Sequence, residues 1–182
     1  GGGLQGMRRR SAADLTIIPE TSMTATISRT SAILGAARTL AAKLLLAITI
    51  DRAALTQAMT ESAGGSDAAG GWTQRESFEA LEVALAMAIP ELVGRMDAEA
   101  AVRTLEALAK ELPTHTVRSE DQIAFQQFST PPALACLAVH LARLGCEDVF
   151  LEPSAGTGII ASLAKGAVKR CFLNELETAR AE

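Results

Sequence analysis

Residues 148–175 contain two short apolar runs. A turn of small residues and a further apolar segment lie between them. The first run leads into the turn as FLEPSAGTGII, and the second reads RCFLNE. These runs predict two strands, at 148–152 and 170–175, with a helix from about 158 to 164 between them. Strands that are joined through a helix pair in parallel. The sequence therefore predicts one βαβ unit and an α/β fold.

The turn after the first predicted strand contains Gly156 and Gly158. Glycines in such a turn allow the backbone to approach a ligand closely, and the helix that follows offers unpaired N–H groups. Glu175, 17 to 19 residues later, closes the second predicted strand, where a carboxylate can accept both hydroxyls of a ribose. This spacing predicts a site for a nucleotide-like ligand.

Residues 31–112 are predicted to form an all-helical region of about four helices, because apolar residues recur there every three or four positions. Asp51 is a candidate N-cap after a break near residue 50, and Thr73 with Glu76 has the spacing of a capping box. A glycine-rich loop is predicted at 61–71, an interruption or restart of the helix at Pro90, and a helix from 98 to 112 that ends before Pro113. Residues 1–30 have weak periodicity and are expected to form a disordered tail.

The segment QFSTPP, residues 127–132, precedes a predicted helix from 133 to 144. Thr130 is the expected N-cap of this helix, since proline in the first turn costs no hydrogen bond, and Gly145 is expected to close it.

Several classes of protein are disfavoured. The formal net charge of −4 gives no overall basic surface that would bind a polyanion. The three cysteines lack the CxxC spacing of zinc sites, so we expect no metal. The most apolar run, 33–50, includes Arg38 and Lys43, so we expect no membrane span. A P-loop would need GKS or GKT, which is absent. Ala161 stands where a dinucleotide fingerprint has its third glycine, and that pattern allows alanine, so NAD stays open.

The pair Glu152 and Pro153, followed by Ala155 and the two glycines, resembles the first motif of S-adenosylmethionine-dependent methyltransferases, in the form used by adenine-N6 DNA methylases. A carboxylate at the strand end suits a positively charged sulfonium amino acid better than a pyrophosphate. The upstream segment resembles the FxTP segment of those methylases. That likeness implies that Phe128, Thr130 and Pro131 lie over the cofactor, with the following helix start receiving its carboxylate.

A closer resemblance is to the methylase segment of strawberry-notch-like methylase/helicase proteins of bacteria and phages. It rests on LPTHTVRSEDQIAFQQFSTP, FLEPSAGTG and FLNELETARAE, covers residues 112–182 well and 31–111 loosely. It implies a Rossmann-like class I methyltransferase domain that starts at about 113, S-adenosylmethionine as cofactor, DNA as the expected partner and a helicase domain in the same polypeptide. The cytoplasmic location is expected from the cysteines, because an odd number of them without disulfide or zinc spacing fits reduced thiols.

The sequence departs from that family in one respect, because no NPPY, NPPF or DPPY segment is present to hold the methyl acceptor. We therefore assign no catalytic residue, and we expect the chain to be an N-terminal fragment that is inactive alone. Two alternatives stay open. One is a methyltransferase for protein, RNA or a small molecule; the other is a non-catalytic helical interaction module with a relic cofactor loop.

Overall fold

A computed structural model describes residues 28–114 and 129–176 of the chain. Over these residues the protein is mixed α/β and mostly helical, with a two-stranded sheet. In chain order the elements are α1 Arg29–Leu45, α2 Arg52–Ala63, α3 Gln74–Val93, α4 Ala98–Glu111, α5 Pro132–Ala142, β1 Val149–Glu152, α6 Ile159–Ala164 and β2 Arg170–Leu173. The expectations for the N-terminal tail up to residue 27, for 115–128 with Phe128, and for 177–182 lie outside the described residues.

The starts of α2 and α3 are fixed by side-chain caps that the sequence predicted. The Asp51 carboxylate accepts a hydrogen bond of 2.8 Å from the N–H of Ala54, which confirms the break between α1 and α2. At the start of α3, the Thr73 hydroxyl accepts from the N–H of Glu76, and the Glu76 carboxylate accepts from the N–H of Thr73 at 2.6 Å. This capping box is confirmed, and it satisfies two backbone donors that the first turn of a helix leaves unpaired.

The prediction that Pro90 interrupts the third helix was wrong, because α3 continues through it to Val93. Proline removes one backbone donor within a helix, which costs stability. Here Ile89 and Val93 are buried on either side of Pro90, so burial of the last turn holds the helix together.

The two caps predicted for α5, Thr130 and Gly145, were also wrong. Pro131 is the N-cap and makes no side-chain cap bond, so Thr130 lies one residue before the N-cap. At the other end, Arg143 adopts the left-handed conformation with φ of 50°, which ends the helix before Gly145 is reached. Gly145 instead donates its N–H to the carboxylate of Asp148 at 2.7 Å, in the turn that leads to β1.

The two strands pair in parallel, as predicted, with Phe150 opposite Cys171 and Leu151 opposite Phe172. Because side chains alternate along a strand, the sheet has two faces. On one face Phe150, Glu152 and Cys171 are half-buried. On the other face the apolar side chains of Val149, Leu151 and Phe172 are exposed.

One hydrophobic core joins the helices to the α/β part of the chain. Helix α1 packs on α2 and α3, α3 also packs on α6, and α4 packs on α5. The buried cluster accordingly extends from the first four helices to Ala135, Cys136 and Ile159. These contacts fix the position of the loop between β1 and α6 relative to α3.

Candidate functional site

The predicted site is built on the loop between β1 and α6, residues 153–158. Gly156 and Gly158 both have positive φ, of 54° and 82°, which residues other than glycine adopt only with strain. A Cβ atom added at Gly158 would meet no heavy atom within 4 Å. Glycine is therefore needed at 158 for the backbone conformation rather than for lack of space.

The end of β2 holds this loop in place through the backbone. The N–H of Asn174 donates to the carbonyl of Glu152, and the N–H of Ala155 donates to the carbonyl of Asn174, each at 2.9 Å. The Asn174 side-chain amide donates to the carbonyl of Pro153 at 3.0 Å. The parallel pairing of the strands thus continues into the loop and fixes its course.

Glu175 lies directly beside the loop. Its carboxylate accepts a hydrogen bond of 2.7 Å from the backbone N–H of Gly156, although the two residues are 19 positions apart in sequence. A carboxylate has about four lone-pair sites, so it can accept several donors at once. The fold therefore brings together the glycine and the acidic residue that the sequence analysis selected for their spacing.

Glu152 ends β1 at the other side of the loop. One carboxylate oxygen, Oε2, is buried and has no hydrogen-bond partner within the described part of the chain. Burial raises the pKa of the Glu152 carboxyl, because removal from water disfavours the charged form. A buried acceptor without a partner costs free energy, and a donor or a positive charge supplied by a ligand would offset that cost.

Glu82, in helix α3 of the helical region, contacts the loop between β1 and α6. The hydroxyl of Thr157, which stands between the two glycines, donates to the carboxylate of Glu82 in α3 at 3.4 Å. Sequence analysis missed this contact, because the two residues are 75 positions apart and nothing in the periodicity of α3 marks Glu82 as special.

Next to this contact is a cavity of about 350 Å³, between α3, α4, the start of α5 and the start of α6. Thr130 and Pro131 line one side of it and Thr157 lines another, so the structure connects the segment before α5 with the glycine loop. Glu152, Pro153, Ala155, Gly156 and Glu175 are not among its described lining residues. The predicted site residues thus fall into two adjacent groups, one on the loop and one on the cavity.

Two further observations on residues 28–114 and 129–176 concern metal binding and membrane crossing. Over these ranges no group of three or more His, Cys, Asp or Glu side chains is arranged to hold a metal ion. Over the same ranges no helix combines the length and apolarity that crossing a membrane requires.

Comparisons with known proteins found no family model, no curated protein and no solved structure that matches the chain. The resemblance to strawberry-notch-like methylase segments therefore stays a prediction that rests on the quoted residues.

Proposed function

We propose that residues 129–176 form the cofactor-binding start of a Rossmann-like, S-adenosylmethionine-dependent methyltransferase. The observation that carries this proposal is the contact between the Gly156 N–H and the Glu175 carboxylate, on a loop between two parallel strands. In this proposal Glu175 accepts the ribose hydroxyls of the cofactor, and Gly156 and Gly158 give the backbone its close approach.

The charge around the loop supports a cationic nucleoside over a dinucleotide. Three carboxylates surround it: Glu82 contacts Thr157, Glu175 contacts Gly156, and Glu152 precedes the turn. A pyrophosphate in this position would be repelled, whereas a ligand with net positive charge would be attracted. Oε2 of Glu152, which has no hydrogen-bond partner within residues 28–114 and 129–176, gives that attraction a specific acceptor.

The methyl acceptor follows from the resemblance alone, which implies adenine in DNA and a helicase domain in the same polypeptide. A bound sulfonium cofactor supplies an already activated methyl group, so the protein's contribution is to bind and align. The residues described here bind and orient; the segment that would hold adenine, an Asn or Asp before Pro-Pro and an aromatic, is absent from the sequence.

The test is isothermal titration calorimetry of the 182-residue chain with S-adenosylmethionine, S-adenosylhomocysteine and NAD. We expect heat from the first two and none from NAD. Glu175→Ala should weaken S-adenosylhomocysteine about tenfold or more, since hydrogen bonds to a charged group contribute about 1.5–3 kcal/mol.

The control is Glu147→Ala, at a carboxylate whose side chain is 80% exposed and away from the loop, which should leave affinity unchanged. Absence of heat with both sulfur nucleosides would reject the proposal, and heat with NAD alone would assign the loop to a dinucleotide.

A further inference from the structure

The cavity beside the glycine loop has the chemistry of a site for a small ligand with one positive charge. Its volume of about 350 Å³ is at the lower end of the range for ligand pockets. Most of its lining is apolar, from α3, α4 and the prolines before α5, and Glu82 is the one ionisable side chain among the described lining residues. Ser129, Thr130, Thr114 and Thr157 add neutral hydroxyl groups.

Glu82 is half-buried in this lining, and its carboxylate accepts from the Thr157 hydroxyl. A carboxylate on a partly apolar wall attracts a cation more strongly than the same group in bulk water, because the local dielectric is lower. The described lining has no Lys or Arg, so the start of α5, where the helix dipole is positive, is the part of this lining that would attract an anionic group.

We propose that Glu82 binds the ammonium group of the amino-acid end of the cofactor, and that the helical region thereby forms part of the cofactor site. This inference rests on the proposed function. One contact and one shared cavity support it: Thr157 joins Glu82 to the loop between the two glycines, and Pro131 and Pro132 at the start of α5 line the same cavity as Glu82. An amino acid in this cavity would place its ammonium toward α3 and its carboxylate toward the start of α5, where the helix dipole is positive.

The experiment compares two ligands on the full 182-residue chain. S-adenosylhomocysteine has the amino-acid end and no sulfonium charge, whereas 5′-methylthioadenosine lacks the amino-acid end. The variant is Glu82→Gln, which removes the charge and keeps an oxygen that can accept from Thr157. The matched control is Glu91→Gln, an exposed position on the same helix that does not line the cavity. Melting temperatures of both variants check that the fold is intact.

We expect Glu82→Gln to weaken S-adenosylhomocysteine about tenfold, the loss of one charged hydrogen bond, and to leave 5′-methylthioadenosine unchanged. Glu91→Gln should affect neither ligand. The inference is overturned if Glu82→Gln affects both ligands alike or neither, if Glu91→Gln has the same selective effect, or if the unmodified chain binds the two ligands equally well. If the unmodified chain binds neither ligand, the proposed function fails and this inference fails with it.

Discussion

The backbone N–H of Gly156 donates a 2.7 Å hydrogen bond to the carboxylate of Glu175, so the bend after β1 is joined to the residue that follows β2. This contact is between a charged acceptor and a main-chain donor in a part-buried position. It holds the glycine loop in one conformation even without a ligand, which lowers the entropy that a ligand would have to offset on binding.

Replacing Glu175 should destabilise the protein as well as weaken ligand binding. We expect Glu175→Ala to lower the free energy of unfolding by about 1–2 kcal/mol, because the N–H of Gly156 loses a charged partner. Urea denaturation followed by circular dichroism measures this change. Glu147→Ala breaks the exposed ion pair with Lys169 and should cost under about 0.5 kcal/mol. Equal losses of unfolding free energy in the two variants would show that the hydrogen bond between Gly156 and Glu175 stabilises the protein no more than an exposed ion pair does.

Gly158→Ala should destabilise the loop through its backbone alone. A positive φ costs a residue with a Cβ atom about 1–2 kcal/mol, and there is open space around the position, so no clash adds to this cost. The matched control is Gly166→Ala, which also has open space but no positive φ, and should be neutral or slightly stabilising. Chemical denaturation of both variants gives the comparison; a neutral Gly158→Ala would contradict the assigned loop conformation.

Thr73→Ala should weaken the start of α3. Loss of the capping side chain costs about 0.5–2 kcal/mol, because the N–H of Glu76 loses its acceptor. Thr56 is exposed within α2, and Thr56→Ala should change stability by less than about 0.5 kcal/mol. The measurement is the midpoint of thermal unfolding for each variant, and a Thr73→Ala protein as stable as the Thr56→Ala protein would rule out the capping box as a stabilising feature.

Leu105→Ala should be among the most damaging substitutions in α4. Leu105 is fully buried in the shared core, and removal of such a side chain costs about 2–5 kcal/mol through lost burial and the cavity left behind. Leu141 in α5 is 68% exposed, so Leu141→Ala serves as the control and should have little effect. Comparable losses at the two positions, measured by denaturant unfolding, would contradict the burial assigned to Leu105 and the exposure assigned to Leu141.

Glu152→Gln should make stability less dependent on pH. Burial raises the pKa of the folded Glu152 carboxyl, so the folded state binds a proton more tightly than the unfolded state. The wild-type protein therefore bears the cost of a buried charge at neutral pH and loses that cost as the pH falls through the raised pKa. We expect the advantage of Glu152→Gln in unfolding free energy to be largest at neutral pH and to shrink in acid.

Glu91→Gln, at an exposed position, gives the baseline for simply losing one negative charge. An advantage of Glu152→Gln that grows in acid would reverse the sign of the argument.

The sequence was informative wherever a local signal decides the structure. Caps at Asp51 and Thr73 and the parallel strands could be predicted, because short-range chemistry and apolar periodicity determine them. The ends of α5 could not, since two consecutive prolines moved its start past Thr130 and a non-glycine residue, Arg143, took the left-handed position. For the site, spacing selected Gly156 and Glu175, which are in contact. Glu82 was missed because only tertiary packing brings α3 to the loop.

The packing of α3 on α6 and of α4 on α5 also determines which parts of the chain can be expressed separately. A cut near residue 113 would look natural, since it separates the all-helical part from the strands. It would instead uncover Ala135, Cys136 and Ile159, whose burial depends on helices from the other side of the cut. Exposed apolar surface of that kind favours aggregation, so expression plasmids for either half alone are a poor choice, and both halves should be produced as one polypeptide.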